Sequence, residues 1–300
     1  MLEAVPNVSE GRSPEAIAAI GAAFSGEALL LDVHSDPDHN RSVYTLAAAR
    51  EALLDSLVAG IAAAVELADL REHVGVHPRV GAADVVPLVP LAPEEIEDAA
   101  DAARALAARI GSELGLPVFL YGEISSGRRP AFFRRGGLDE LRRRVAAGEL
   151  GPSHGPGRID PRSGVVLVGA RNALVAYNLV LATDDVEVAH AIARAVRESS
   201  GGMPGVQALG LRLPSSGRVQ VSMNVVDVER APLPEVVERV RAEALARDVD
   251  VAAGELVGLV PERVWKAAAG AGAELPGVDE SRVLERVLGS RLAEWPKRSS

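Results

Sequence analysis

A chain of 300 residues, 48% hydrophobic, can bury one large core or two modest ones, and a formal charge of −10 argues against a dedicated nucleic-acid binder, which carries a basic face. Cysteine is absent, which excludes disulfides, thiolate metal sites and a cysteine nucleophile together and fits a cytoplasmic setting. No uncharged stretch reaches the ~18 residues that span a bilayer, and the N-terminus lacks a charged segment followed by a long apolar run, so neither membrane insertion nor secretion is expected.

In chain order, the apolar run Leu2–Val8 predicts a strand, and Ser13-Pro14-Glu15 supplies an N-cap with proline at the first helical position, opening a helix to about Phe24. Ala28–Val33 predicts a second strand. The polar cluster His34-Ser35-Asp36-Pro37-Asp38-His39-Asn40-Arg41 predicts a hairpin loop, and Ser42–Ala48 a third strand. Apolar side chains at Leu54, Leu57, Val58, Ile61, Val65 and Ala68 recur with the helical period across Glu51–Leu70, and a strand follows at Asp84–Val89. The order is β-α-β-β-α-β. Pro93–Glu113 predicts another helix and Pro117–Tyr121 a short strand, while Ile124–Gly164 is rich in Gly, Pro and Arg and holds one short amphipathic helix near Leu138–Ala147.

From Val165 the pattern restarts. Strands are predicted at Val165–Val168, Ala173–Leu181, Val206–Leu213, Val219–Val225 and Val249–Leu256, with helices at Asp184–Glu198 and Pro234–Ala246. Leaving out the first of these strands, the order is β-α-β-β-α-β again. The expectation is an α+β protein of two ferredoxin-like (βαββαβ) subdomains, each a sheet with helices on its outer face, divided near Gly169 into residues 1–169 and 170–300. Helices at about Pro261–Ala269 and Glu280–Leu292 close the chain, and Lys297-Arg298-Ser299-Ser300 is expected to fray.

Chemistry concentrates between Arg71 and Pro90. His73, His77, Arg79 and Asp84 fall in a segment that Gly75, Pro78 and Gly81 keep from becoming a helix, and Pro78 biases His77 toward an extended backbone that stiffens the turn presenting its imidazole. His77 is the candidate catalytic residue; the structural alternative is a loop histidine hydrogen-bonded to backbone. His73 and His77 stand four apart, but the loop offers no helix and no Glu lies between them, so no metal is expected. The serine-hydrolase Gly-x-Ser-x-Gly and dinucleotide-binding Gly-x-Gly-x-x-Gly patterns are both absent. Arginines cluster at Arg128-Arg129, Arg134-Arg135 and Arg142-Arg143-Arg144. The last group reads as a solvated helix face; the first two pairs, in a loop, could receive a ligand with several carboxylates.

The blocks Val5-Pro6-Asn7-Val8-Ser9-Glu10-Gly11-Arg12, Leu31-Asp32-Val33, Asn40-Arg41-Ser42-Val43-Tyr44-Thr45, His77-Pro78-Arg79-Val80-Gly81-Ala82-Ala83-Asp84 and Leu120-Tyr121-Gly122-Glu123 resemble glutamate formimidoyltransferase, which is also the N-terminal part of formimidoyltransferase-cyclodeaminase. Val168-Gly169-Ala170-Arg171, Tyr177-Asn178, Val221-Ser222-Met223-Asn224 and Leu256-Val257-Gly258-Leu259-Val260-Pro261 continue the resemblance over nearly the whole chain. It implies two subdomains whose sheets face each other across a tunnel for tetrahydrofolate, and a homodimer. The chain ends where the cyclodeaminase part would begin, so that second activity is expected to be missing.

By the same resemblance His77 is the catalytic histidine, and the folate-binding segment falls on Gly155, Pro156, Gly157, Arg158, Ile159, Asp160, Pro161, Arg162, Ser163 and Gly164. Two departures stand out: His34 occupies a position where family members can carry an aspartate near the catalytic histidine, and Gly155–Gly164 keeps mainly the glycines and prolines. The implied reaction moves a formimino group from N-formimino-L-glutamate to N5 of tetrahydrofolate, a co-substrate, with no metal or redox cofactor. Asp32, Asn40, Arg41, Arg79 and Asp84 are candidates for orienting the substrates; for Asp32 and Asp84 loop and cap hydrogen bonding is the structural alternative. Two further readings are a formyl-transferring or cyclising folate enzyme, with His34 reshaping the donor site, and a non-catalytic folate-binding protein.

Overall fold

Strands that pack on both faces read as continuous apolar runs, and the middle of the first half is built this way. In β5 (Ala83–Pro90) Val86 and Leu88 join a core cluster with three helices, while Val85 points into a second cluster; in β7 (Val166–Ala170) Val166 and Val168 divide from Leu167 in the same manner. The computed structural model describes residues 1–270 and 275–294, so the expected fraying of Lys297–Ser300 lies outside the described residues. The chain divides between Asn172 and Ala173 into two compact units. Gly169, where the division was expected, lies inside β7.

The first unit runs β1 (Leu2–Ala4), β2 (Asn7–Val8), α1 (Pro14–Phe24), β3 (Leu29–Asp36), β4 (Arg41–Ala48), α2 (Arg50–Leu67), β5, α3 (Ile96–Glu113), β6 (Val118–Gly122), α4 (Pro130–Arg134), α5 (Gly137–Ala146) and β7. Ser13 caps α1, its hydroxyl accepting from the Ala16 N–H at 3.2 Å. The strand expected over Leu2–Val8 is split at Val5-Pro6, since proline cannot donate to a ladder, and both pieces lie antiparallel between β4 and β5. The edge strand β3 pairs with β4. The eight-residue loop expected at His34–Arg41 shrinks to a turn at 37–40, because β3 continues to Asp36 opposite Arg41 and the Asp36 carboxylate accepts from the N–H groups of Asp38 and His39 at 2.7 and 2.8 Å.

β7 does not open the second half of the chain. It inserts between β5 and β6, parallel to both, and completes a seven-stranded sheet. Helices α1, α2 and α3 cover one face through Ile20, Phe24, Leu54, Leu57, Ile61, Leu106 and Ile110, and the smaller cluster on the other side gathers Phe119, Tyr121, Leu167, Phe133 and Leu141. The α4 helix has five residues, too few to show a period in sequence.

The second unit holds β8 (Val175–Leu181), α6 (Val186–Val196), β9 (Val206–Arg212), β10 (Val219–Val225), α7 (Leu233–Leu245) and β11 (Val251–Val257), an antiparallel four-stranded sheet in the order β11-β8-β10-β9. This is the β-α-β-β-α-β order expected. Val175, Tyr177, Leu179, Val219, Val221 and Val225 project from one face into a core with α6 and α7. The Asp185 carboxylate caps α6 by accepting from the Glu187 N–H at 2.9 Å, and α8 (Glu262–Gly270) and α9 (Leu284–Glu294) follow. Among the described residues no helix is long and apolar enough to cross a membrane.

Candidate functional site

Between α2 and β5 the chain has no regular structure to satisfy its backbone, and side chains do that work instead. The Arg79 guanidinium turns back on its own loop and donates to the carbonyls of His73 at 3.0 Å, Gly75 at 3.2 Å and His77 at 2.9 Å. His73 Nε2 lies 2.8 Å from the Asn40 carbonyl, and a carbonyl only accepts, so that nitrogen carries the hydrogen. Asn40 is buried with φ 47°, accepts from the Gly11 N–H at 2.9 Å and donates to the Val74 carbonyl at 3.2 Å. Gly75 passes so close to the His39 carbonyl that a Cβ there would come within 2.2 Å of it. The loop is thereby clamped onto the β3–β4 turn.

His77 is half-buried, with Nδ1 2.8 Å from the Pro78 carbonyl. Nδ1 is therefore the donor, and the lone pair of the neutral ring lies on Nε2. The His39 ring stands beside it, centroids 5.8 Å apart. Asp84, wholly buried at the head of β5, accepts from the Val80 N–H at 2.8 Å through one oxygen, and its other oxygen is shared by the guanidiniums of Arg41, at 2.9 Å, and Arg134. Burial alone would raise the Asp84 carboxyl, but Arg134 and Arg41 with the Val80 N–H hold it well below the usual carboxylate range. Burial lowers Arg41 to about 10 despite Asp84. Burial also pushes His77 well below the ordinary histidine value, and the positive charges of Arg41 and Arg134 add to the effect while Asp84 opposes it. The arrangement is a neutral imidazole with an open nitrogen, backed by surplus positive charge.

The segment from Gly155 to Gly164 is fastened to this loop through backbone. Ala82 N–H donates to the Ser163 carbonyl at 2.9 Å, Val165 N–H to the Val80 carbonyl at 3.0 Å and Leu70 N–H to the Arg162 carbonyl at 2.9 Å, with Gly81 and Gly164 paired as an isolated bridge. A Cβ on Gly164, which has φ 70°, would meet the Val80 carbonyl at 2.2 Å, and one on Gly81 the Val165 carbonyl at 1.9 Å. Ile159 and Ser163 are buried; Gly155, Pro156, Gly157, Arg158 and Asp160 are exposed. Arg162 is spent on fastening too, donating to the Glu66 carbonyl at 2.6 Å.

The structure thus brings His77, Arg79, Asp84, Arg41, Asn40 and Ser163-Gly164 into one assembly. Asp32 and His34 stand instead in β3, half-buried on one face and in register with Thr45 and Val43. Arg134 belongs to the assembly and was expected elsewhere, as part of a loop free to take a carboxylate ligand; its partner is Asp84. No short sequence pattern links positions 84 and 134. Arg128 and Arg144 stack on the Phe132 ring, 4.8 and 4.6 Å from its centroid. On α5, Arg142 pairs with Asp139 and Arg143 with Glu140, as a solvated helix face does, and Arg143 also pairs with Glu149 just beyond the helix.

A two-unit α/β chain whose neutral His77 ring has an open nitrogen near an arginine-paired carboxylate holds groups of the kind acid–base group transfer uses. The model of the formiminotransferase domain's N-terminal subdomain matches residues 1–171 and that of the formiminotransferase domain matches residues 176–271. A glutamate formimidoyltransferase of Thermoplasma acidophilum is 38% identical over 297 residues, covering 96% of this chain and 97% of the relative. One from Streptococcus pyogenes is 36% identical, covering 88% and 90% respectively. The formimidoyltransferase-cyclodeaminase of Gallus gallus is 38% identical over 90% of this chain and 52% of its own length. The chain belongs to the formiminotransferase family.

Proposed function

We propose that this protein transfers the formimino group of N-formimino-L-glutamate to N5 of tetrahydrofolate and releases glutamate, with His77 carrying the proton. The open Nε2 of His77 is the observation that supports this most directly. N5 attacks the amidine carbon; its proton passes to Nε2, the C–N bond to glutamate breaks, and the same proton goes to the departing nitrogen, leaving His77 neutral. Holding both substrates against one another supplies the other large contribution to rate. Arg79 acts through the loop by fixing the His77 carbonyl, and Asn40 holds that loop to the β3–β4 turn. Tetrahydrofolate is read as lying along the exposed side of Gly155–Gly164, and Asp32 and His34 as facing the donor. The two units, divided between Asn172 and Ala173, are read as formiminotransferase subdomains, ferredoxin-like in their order of strands and helices, of a cytoplasmic homodimer.

Purified protein is assayed with tetrahydrofolate and either formiminoglutamate or a formyl donor. Formation of 5-formiminotetrahydrofolate with the first alone is expected; turnover only with the formyl donor, or folate binding without turnover, would replace this reading. His77→Asn keeps hydrogen-bonding capacity but takes no proton near neutrality, so kcat should fall on the order of 10²–10⁴-fold with folate Kd and melting temperature nearly unchanged.

A further inference from the structure

The clamp between the His77 loop and the β3–β4 turn is complete without the side chain of His39. Val76 N–H donates to the Asp38 carbonyl at 3.1 Å, Asn40 Nδ2 to the Val74 carbonyl at 3.2 Å and His73 Nε2 to the Asn40 carbonyl at 2.8 Å, so the loop is held from either side of residue 39. His39 is itself fixed through its backbone: its N–H donates to the Asp36 carboxylate at 2.8 Å, and its carbonyl lies against Gly75, where a Cβ would come within 2.2 Å. What the clamp leaves unexplained is the His39 imidazole, which is buried at 7% exposure with its ring centroid 5.8 Å from that of His77 and the two planes tilted by 32°. That separation lies within the range over which flat rings pack on one another.

The His77 ring needs such a neighbour. Its Nδ1 donates to the carbonyl of the next residue in the chain, and a single hydrogen bond fixes where Nδ1 lies while leaving the ring plane free to swing about that direction. Swinging carries Nε2, on the far side of the ring, through the widest arc. A packed neighbour on the ring removes that freedom, and the ring packed beside His77 is that of His39.

We infer that His39 is a positioning residue: its imidazole, carried on a turn locked to the His77 loop, is the wall that sets the plane of the His77 ring and so the direction in which Nε2 points. This deepens the proton-carrying role given to His77 above and rests on it for its consequence in catalysis. The attacking and departing nitrogens must both reach one lone pair, and an error of about 1 Å in its position can cost on the order of 10²-fold in rate. His39 touches neither substrate and carries no proton in this account. It acts by shape, so another flat ring can stand in for it.

The test is NMR of the His77 ring nitrogens in substrate-free protein at neutral pH, in wild type, His39→Gln and His39→Phe, with His77→Asn identifying the signals. A ring held on the Pro78 carbonyl keeps one tautomer, Nδ1 protonated and Nε2 bare, and shows two widely separated nitrogen signals; a ring that swings free mixes tautomers and draws the signals together. His39→Gln keeps a polar group but removes the ring, and should draw them together. His39→Phe keeps a ring that neither titrates nor hydrogen-bonds, and should leave them apart. In the assay kcat of His39→Gln should fall on the order of tenfold or more with KM and folate Kd nearly unchanged, and His39→Phe should recover most of the loss. Melting curves verify folding, and His39→Leu or His39→Tyr takes the place of a glutamine or phenylalanine variant that does not fold. Separated signals in the variant without a ring, a kcat there within a few-fold of an active wild type, or a loss that the ring-bearing variant shares would overturn the proposal. Signals drawn together without the ring and apart with it, in a wild-type protein inactive toward formiminoglutamate, would uphold it and overturn the substrate reading instead.

Discussion

Asp84 is the residue whose loss should be felt most widely. Replacing it with asparagine leaves Arg41 and Arg134 facing an amide, so a guanidinium that is almost fully buried loses its counter-charge; breaking such a pair costs on the order of 3–5 kcal/mol. Urea unfolding of Asp84→Asn should show that drop, and a loss under about 1 kcal/mol would mean that the arginines repartner. The wild-type contribution has a pH signature. The folded carboxyl is held below its unfolded value of about 3.9, so its stabilisation is complete above that value and is lost as pH falls toward the folded one. Acid unfolding of the Asn variant should therefore be flatter below pH 4 than that of wild type. Asp84 stood out in sequence as a carboxylate after the His-Pro-Arg turn. That it neutralises an arginine some 50 positions later was not legible there, because ion pairing across a sheet leaves no periodic trace.

Among the elements, α1 and α2 meet at a glycine. A Cβ at Gly60 of α2 would stand 1.9 Å from the Phe24 ring, which is itself fully buried and packed against Tyr44 at 5.1 Å. Helix propensity favours Gly60→Ala by roughly 1 kcal/mol, but overpacking a rigid aromatic costs typically 1–3 kcal/mol or more, so the clash should win. A lower melting temperature for Gly60→Ala is expected, and a higher one would show that Phe24 can retreat. The helical period of Leu54, Leu57, Val58 and Ile61 made α2 readable, yet nothing in it marks Gly60 as a contact. The strands were readable as apolar runs with polar breaks. The insertion of β7 between β5 and β6 was not, since a run of valines states its burial but not its neighbours, and the polar residues 34–36 hid the end of β3 because an edge strand tolerates a solvated side.

For the molecule as a whole, the resemblance of sequence blocks along nearly the entire chain carried the homodimer reading, and no patch of sequence located its interface. Light scattering at micromolar concentration should return about twice 31.3 kDa, and a mass near 31.3 kDa would rule the dimer out. A formal charge of −10 on each chain makes association repulsive at long range, so screening by added salt should favour rather than oppose the dimer.

The junction between the His77 loop and residues 155–164 is made chiefly by main-chain groups, with Gly81 and Gly164 at its crossing and the side chains of Pro156 and Arg158 left outside. A seam of that kind is indifferent to what its residues display. On the proposed reading of this segment as the folate side, substitutions along its outer edge would retune the choice of ligand while the imidazole stays in place, whereas the two glycines are fixed points on which no side chain can be hung. Evolution, or a designer, could then rewrite the proposed recognition surface one residue at a time without moving the imidazole loop next to it.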